Sequence, residues 1–177
     1  TISVTAMGDG IYSFEGSTGY SFLAAPAGFV PGGGEVLKSV MSVTNYYDTY
    51  KAWGMEVKLI GLEISDGNVT SAFDAATYST IYSGDGNFLK LEFYSEDGKV
   101  ARGTYTPCAE GGNVTEGTFG IGYSGDYGPG SGTNWATVSG GAVDYASILD
   151  GTLTISHDGT NFTFTLVSET ISATYTG

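Results

Sequence analysis

Residues 152–168 read TLTISHDGTNFTFTLVS and contain the clearest fold signal in the chain. Apolar and polar side chains alternate on both sides of a central His-Asp-Gly-Thr, and the apolar positions are Leu153, Ile155, Phe162, Phe164 and Leu166. An alternation of period two buries one row of side chains and leaves the other in water, as in antiparallel strands. Asp158 and Gly159 tolerate the positive φ angle of a tight turn. The stretch therefore predicts a β-hairpin, with strands 152–156 and 161–168.

The same two signals recur along the rest of the chain. Residues 55–64 and 88–94 alternate in the same way, and further Asp-Gly pairs begin at Asp9, Asp66, Asp85, Asp97 and Asp150. Within 55–64 the apolar phase switches at Gly61, which predicts a β-bulge. The fold predicted from these patterns is all-β: an antiparallel β-sandwich, with a closed β-barrel as the alternative.

Residues 34–43 also fit a short helix. Val36, Leu37, Val40 and Met41 would share one helical face, although a strand leading into Tyr46 fits the same residues. We therefore expect at most one short helix, near 34–43. A length of 177 residues corresponds to a single domain over residues 1–177.

The composition excludes two classes of partner. With 19 acidic and 6 basic side chains, the formal charge is 6 − 19 = −13. Nucleic-acid binders need Lys and Arg to replace the counterions of phosphate, and anionic membrane surfaces also attract basic segments. We expect no nucleic-acid partner and no direct membrane docking. The single cysteine, Cys108, in a predicted loop, excludes an intramolecular disulfide.

A weak internal duplication lies within residues 75–177. The tetrapeptide YSGD occurs at 82–85 and again at 123–126. After each copy, an Asn-Phe pair opens an apolar strand and the chain returns through Ala/Gly-Thr-Tyr-Thr, at 103–106 and 173–176. The repeat predicts two related hairpin units.

The same C-terminal stretch, 75–177, resembles exported lipoproteins of gut Bacteroidetes. The resemblance rests on turn-and-strand motifs: YSGD (82–85), NFLKL (87–91), GTYTP (103–107), GTF (117–119), GTLTIS (151–156) and TYTG (174–177). It implies an all-β module displayed at the cell surface, tethered to the outer membrane by a lipidated cysteine upstream of residue 1. Such proteins resemble parts of glycan-capture or adhesion machinery. The resemblance supplies no catalytic residues.

The residues do not form a recognisable catalytic constellation. His157 is the only histidine and lies in the predicted hairpin turn, where a catalytic triad would be exposed. One histidine and one cysteine also cannot fill a three- or four-ligand zinc site without carboxylates. A small β-sandwich glycoside hydrolase needs only two carboxyl groups beside a sugar cleft, and Glu56 and Glu92 are mid-strand candidates. We expect no enzyme activity, with glycoside hydrolysis as an alternative.

No cofactor is required by the sequence, and calcium is the one metal that its turns could hold. Four acidic residues fall in predicted turns, where free backbone carbonyls can join carboxylates as oxygen ligands: Asp85, Glu96, Asp97 and Asp126. Turn chemistry explains the same acids without a metal.

Two aromatic clusters are the candidate binding residues. The first comprises Tyr47, Tyr50 and Trp53, and the second comprises Tyr123, Asp126, Tyr127, Asn134 and Trp135 in loop-like sequence. Aromatic rings can stack on the apolar face of a sugar while Asp and Asn bind its hydroxyl groups. Trp135 is the first candidate, because glycine and polar residues surround it.

These observations predict a non-enzymatic, carbohydrate-binding or adhesion module directed at a neutral glycan or another surface ligand. A structural surface or pilus-like subunit is an alternative, and an unpaired edge strand at 1–5 or 171–176 would favour it. The sequence leaves the ligand and the oligomeric state open.

Overall fold

A computed structural model describes residues 2–8, 11–16, 21–24, 34–46, 57–108, 114–123, 130–169 and 171–177. Within these ranges every regular element is a β-strand. In chain order the strands are β1 (Ile2–Gly8), β2 (Ile11–Gly16), β3 (Ser21–Ala24), β4 (Glu35–Leu37), β5 (Ser39–Tyr46), β6 (Lys58–Ser65), β7 (Thr70–Asp74), β8 (Ser79–Ser83), β9 (Gly86–Ser95), β10 (Gly103–Cys108), β11 (Thr118–Gly120), β12 (Asn134–Ser139), β13 (Ala142–Ser147), β14 (Thr152–His157), β15 (Phe162–Val167) and β16 (Ser172–Thr176). None of these segments forms a helix that could cross a membrane.

The all-β prediction is confirmed, and the short helix expected near 34–43 is wrong. That segment forms β4 and β5, in agreement with the alternative strand interpretation. β4 pairs with β16 and β5 pairs with β6. A short apolar run fits either structure locally, and here the pairing with distant strands decides for the strand.

β9 is the centre of an eleven-stranded, curled sheet. β6 runs along one edge of β9 from Lys58 opposite Ser95 to Ser65 opposite Phe88. The other edge of β9 pairs with β12 in its first half and with β11 at Phe93. From there the sheet continues through β10, β14, β15 and β16 to β4.

The sheet is mixed rather than purely antiparallel, which corrects the sequence prediction. β10 pairs with β11 in parallel, and β16 pairs with β4 in parallel. Alternation along a strand reports which face is buried and carries no information on the direction of its neighbour. The choice between a sandwich and a barrel stays a prediction.

The predicted hairpin is confirmed, since β14 and β15 pair in register from Thr152 opposite Val167 to His157 opposite Phe162. The two units of the internal duplication are arranged differently. β15 and β16 form a hairpin, whereas β11 lies between β9 and β10 in the sheet. The repeated motifs therefore mark similar turns and strands within different pairings.

The Asp-Gly pairs act as turns. The glycine has a positive φ in four of the pairs: Gly67, Gly98, Gly151 and Gly159. In the Asp85-Gly86 turn the positive φ falls instead on Gly84. The pair at Asp9 lies outside the described residues.

The β-bulge predicted at Gly61 is wrong. The register between β6 and β9 runs without a break through Gly61, and the irregularity lies on β5 between Val40 and Ser42. The apolar phase of β6 switches because consecutive residues, Leu59 and Ile60, are buried on opposite faces of the strand.

Three groups of buried side chains form the described core. The main cluster lies on one face of β6 and β9 and is completed by residues of β10, β11, β14 and β15; its central members are Ile60, Leu62, Ile64, Leu89, Leu91, Phe93, Tyr105, Phe119, Leu153, Ile155 and Leu166. Two small clusters cover the ends of the opposite face. One contains Val69, Phe88, Ala136 and Val138, and the other contains Val57, Leu59 and Tyr94.

Two small sheets complete the described structure. β1, β2 and β3 form an antiparallel sheet, and β7 and β8 form a hairpin. Two edge strands would favour a structural subunit. β16 lies between β15 and β4, whereas β1 is the outer strand of its sheet in the described part of the chain. In the described structure, residues 173–175 of the C-terminal strand are therefore paired along both edges.

Leu91 tests the main cluster, because it is fully buried at the middle of β9. We expect Leu91→Ala to lower the free energy of unfolding by about 3 kcal/mol, from lost burial and the cavity left behind. Leu149→Ala is the control, since Leu149 is 62% exposed and should change stability by about 0.5 kcal/mol or less. Urea unfolding measures both, and equal losses would contradict the assigned core.

Candidate functional site

A polar band crosses the face of β6 and β9 that points away from the main core. The register places Gly61 opposite Glu92 and Glu63 opposite Lys90, and these residues alternate with the core residues of the same strands. On β5, Ser42 pairs with Glu63 and continues the band. Charged side chains therefore lie between the two small apolar clusters of that face.

The band forms the floor of a groove of about 600 Å³. The hairpin β7–β8 contributes one wall through Ser71, Phe73, Thr80 and Tyr82. Met41 and Tyr145 line the groove as well. The groove thus combines carboxylates, hydroxyl groups and one ammonium group with three aromatic rings.

Glu63 is held in place by two hydroxyl groups. Ser42 Oγ donates to Glu63 Oε2 at 3.0 Å, and Tyr82 Oη donates to Glu63 Oε1 at 2.6 Å. The Tyr82 ring stacks on Phe88, with centroids 4.7 Å apart and an interplanar angle of 14°. Short hydrogen bonds to a carboxylate are stronger than neutral ones, so Glu63 has a fixed orientation towards the groove.

Burial raises the pKa of Tyr82 far above its ordinary value, and the Glu63 carboxylate raises it further. The pKa of Tyr145 is also raised, again mainly by burial. A phenolate in this place would be poorly solvated and would lie beside a negative charge. Both phenols therefore stay protonated to higher pH than an exposed tyrosine does.

Lys90 is already engaged within the protein. Its Nζ donates to the carbonyl oxygen of Gly130 and lies 3.6 Å from Glu92 Oε1. The backbone N–H of Glu92 donates to Thr133 Oγ1 at 3.2 Å, which ties this strand to the start of β12. Among the described lining residues, two carboxylates thus face one ammonium group.

The tip of the β7–β8 hairpin carries an exposed aromatic pair. Phe73 and Tyr78 are 63% and 84% exposed, and their rings meet edge to face with centroids 5.4 Å apart. Tyr78 has a φ of 56°, the one positive φ of a non-glycine residue in the described ranges. Asp74 shapes the turn, since it accepts hydrogen bonds from Ala76 N and Thr77 Oγ1.

Trp135 lies elsewhere than the sequence predicted. It belongs to β12 rather than to a loop, and it is half-buried against the main cluster. It pairs with Leu89, which faces the main core, so its side chain is on the opposite side of the sheet from the groove. A Trp135→Ala variant would remove core packing.

Asn134 is fully buried, and its side-chain amide forms hydrogen bonds within the protein. Its Nδ2 donates to the carbonyl oxygens of Ser131 and Gly132, and its Oδ1 accepts from Ser147 Oγ. Tyr123 is half-buried and forms an isolated bridge with Ser131. The other predicted binding residues, Tyr47, Tyr50, Trp53, Asp126 and Tyr127, lie outside the described residues.

Of the remaining candidate catalytic and metal-binding residues, His157 and Cys108 have structural positions in a turn and a strand. His157 Nδ1 accepts a hydrogen bond from Gly159 N in the hairpin turn, and Cys108 is buried at the end of β10 rather than in a loop. Glu56 is not described, whereas Glu92 lines the groove.

The proposed calcium ligands are dispersed where they are described. Asp85 Oδ1 accepts from Gly140 N, and Asp97 accepts from Ser95 Oγ and Lys99 N in its own turn. In the described part of the chain, no three acidic, histidine or cysteine side chains are grouped as a metal site. Calcium stays a prediction.

Sequence reasoning missed most residues that line the groove, among them Glu63, Phe73, Tyr82 and Tyr145, and it also missed Tyr78 at the hairpin tip. A signal was present for Glu63, which occupies a polar position between Leu62 and Ile64, like Glu92 between Leu91 and Phe93. What the sequence lacked was the register that brings those positions together.

Comparison with known proteins found no protein-family model, no curated protein and no solved structure that matches the chain.

The half-buried phenols of Tyr82 and Tyr145 predict a loss of stability in alkali. The unfolded chain ionises its tyrosines near a pH of about 10, whereas the folded protein holds Tyr82 and Tyr145 protonated to higher pH. Stability from these groups is therefore complete below that pH and is lost as pH rises above it. We expect Tyr82→Phe to reduce the fall in the urea midpoint between roughly pH 8 and 11. An unchanged fall would contradict this role.

The conformation of Tyr78 predicts that its ring contributes little to stability. Asparagine tolerates a left-handed backbone better than tyrosine, and this gain offsets the lost edge contact with Phe73. We expect Tyr78→Asn to change the free energy of unfolding by less than about 1 kcal/mol. A loss well above that value in urea unfolding would show that Tyr78 is a structural residue.

Proposed function

We propose that this protein is a non-enzymatic binding module that holds a neutral glycan in the groove between β5, β6, β9 and the β7–β8 hairpin. The observation that carries the proposal is the composition of the groove: a polar floor centred on Glu63 and Glu92, beside walls containing Phe73, Tyr82 and Tyr145. Sugars have apolar C–H faces and a rim of hydroxyl groups. A groove that offers both kinds of contact matches that chemistry.

The orientation of Glu63 supports recognition of hydroxyl groups. Ser42 and Tyr82 each occupy one oxygen of the carboxylate, yet each oxygen can accept more than one hydrogen bond. Because the side chain is held before a ligand arrives, little conformational entropy is lost when a hydroxyl group donates to it.

The charge of the groove supports a neutral rather than an acidic glycan. A ligand carboxylate or sulfate would meet Glu63 and Glu92, while the ammonium group of Lys90 is committed to Glu92 and to Gly130. The net charge of −13 repels anionic polymers at longer range.

Glycoside hydrolysis is the second candidate, because two glutamates line one groove on neighbouring strands. A hydrolase needs one carboxyl group kept protonated as a general acid, which enzymes achieve in apolar surroundings. Here Glu63 accepts hydrogen bonds from two hydroxyl groups and Glu92 lies beside Lys90. These partners favour binding over catalysis.

Adhesion and display at the outer membrane through a lipid anchor belong to the same proposal. They are supported by the resemblance of residues 75–177 to exported lipoproteins, and a glycan site would give such a surface module its ligand. The proposal requires no metal; a chelator tests whether calcium contributes.

The test is native electrophoresis through gels containing β-glucan, xylan, galactomannan or amylopectin, with calcium and with chelator. We expect at least one neutral polysaccharide to retard the protein. Glu63→Gln should weaken this retardation about tenfold, because hydrogen bonds to a charged acceptor contribute more than neutral ones. Glu169→Gln, at an exposed position, is the matched control and should leave retardation unchanged.

Two results would contradict the proposal. The absence of retardation by all four polysaccharides, in folded protein, would remove the glycan assignment. Release of reducing sugar from a retarding polysaccharide, lost in both Glu63→Gln and Glu92→Gln, would establish the hydrolase instead.

A further inference from the structure

We propose that Phe73 and Tyr78, at the tip of the β7–β8 hairpin, form a stacking platform for sugar rings of a chain that extends beyond the groove. This inference rests on the proposed function and names a second part of the same binding site. Phe73 connects the two parts, because it lines the groove and also contacts Tyr78 at the tip.

The exposure of these rings is not explained by folding. Tyr78 is 84% exposed and Phe73 is 63% exposed, so most of the apolar area of both side chains remains in water. The base of the same hairpin is anchored differently, through Tyr82, which stacks on Phe88 and binds Glu63. The hairpin therefore has a half-buried, stacked aromatic at its base and an exposed aromatic pair at its tip.

The backbone at Tyr78 supports a role in binding. Left-handed backbone is unfavourable for residues other than glycine, asparagine and aspartate, and strain of this kind is concentrated at functional sites. A tyrosine with a φ of 56° and little burial stabilises the fold poorly at this position. Its presence is explained if the ring serves a ligand.

Hydrogen bonds hold the turn at the tip together and place polar groups beside the rings. Asp74 accepts hydrogen bonds from Ala76 N and Thr77 Oγ1, and Thr77 Oγ1 also lies 2.7 Å from Ser79 Oγ. A stacking surface that is ordered in advance loses little entropy on binding. The neighbouring hydroxyl groups and carboxylate can bind the rim of a stacked sugar.

A glycan fits this surface better than a second copy of the chain. Two exposed rings flanked by polar groups give a small apolar area, far below that of a stable protein interface. Two copies, each with a net charge of −13, would also repel each other. A neutral sugar chain needs only the rings and the polar rim.

The experiment uses the same gels, with whichever of β-glucan, xylan, galactomannan and amylopectin retards the wild-type protein. We expect Phe73→Ala and Tyr78→Asn each to weaken retardation about three- to tenfold, through loss of a ring contact. Val36→Ala is the matched control, because Val36 is 65% exposed, lies on β4 and does not line the groove. The urea midpoint of Tyr78→Asn should stay close to that of the wild type, which separates lost binding from lost folding.

Each alternative result overturns the inference in a distinguishable way. If Glu63→Gln weakens retardation and the two tip variants do not, the platform is wrong and the groove assignment stands. If no polysaccharide retards the wild type, both proposals fail. If sedimentation shows dimers that Tyr78→Asn dissociates, the tip is a contact between copies of this chain.

Discussion

The described structure depends on the pairing of β6 with β9, which runs unbroken from Lys58 opposite Ser95 to Ser65 opposite Phe88. β9 pairs along both edges, so its backbone is satisfied by β6 on one side and by β12 and β11 on the other. One face of this pair supplies the main core. The opposite face is apolar only at its two ends, and the middle of that face is polar.

The groove exists because the middle of this sheet face is polar. Charged side chains cannot be buried without partners, so the middle of the face remains open and its groups bind one another: Tyr82 and Ser42 to Glu63, and Lys90 to Glu92. The β7–β8 hairpin then turns an open sheet face into a groove by placing Tyr82 and Phe73 along one side. Paired strands form the floor, and the hairpin tip with its exposed rings adjoins the groove through Phe73.

Sequence patterns predicted the all-β class and the β14–β15 hairpin, because period-two alternation and Asp-Gly turns are local properties of the chain. They failed where two faces of one strand are buried, as at Leu59 and Ile60, and where a short apolar run at 34–43 fits either helix or strand. They also placed Trp135 in a binding loop because its neighbours are glycine, serine and asparagine. In the structure those neighbours form a turn before β12, and the side-chain amide of Asn134 donates its hydrogen bonds within that turn.

The sequence by itself determined the class of fold, the turn positions and the strongly acidic charge, since each depends on composition or on residues adjacent in the chain. Only the tertiary structure decided which strands are parallel, which polar positions share a face, and which aromatics meet water. Glu63 and Lys90 are 27 positions apart, and only the register of β6 on β9 brings them opposite each other. Alternation within a strand indicates which of its faces is buried against the core. Which polar side chains meet on the other face depends on the register with the partner strand.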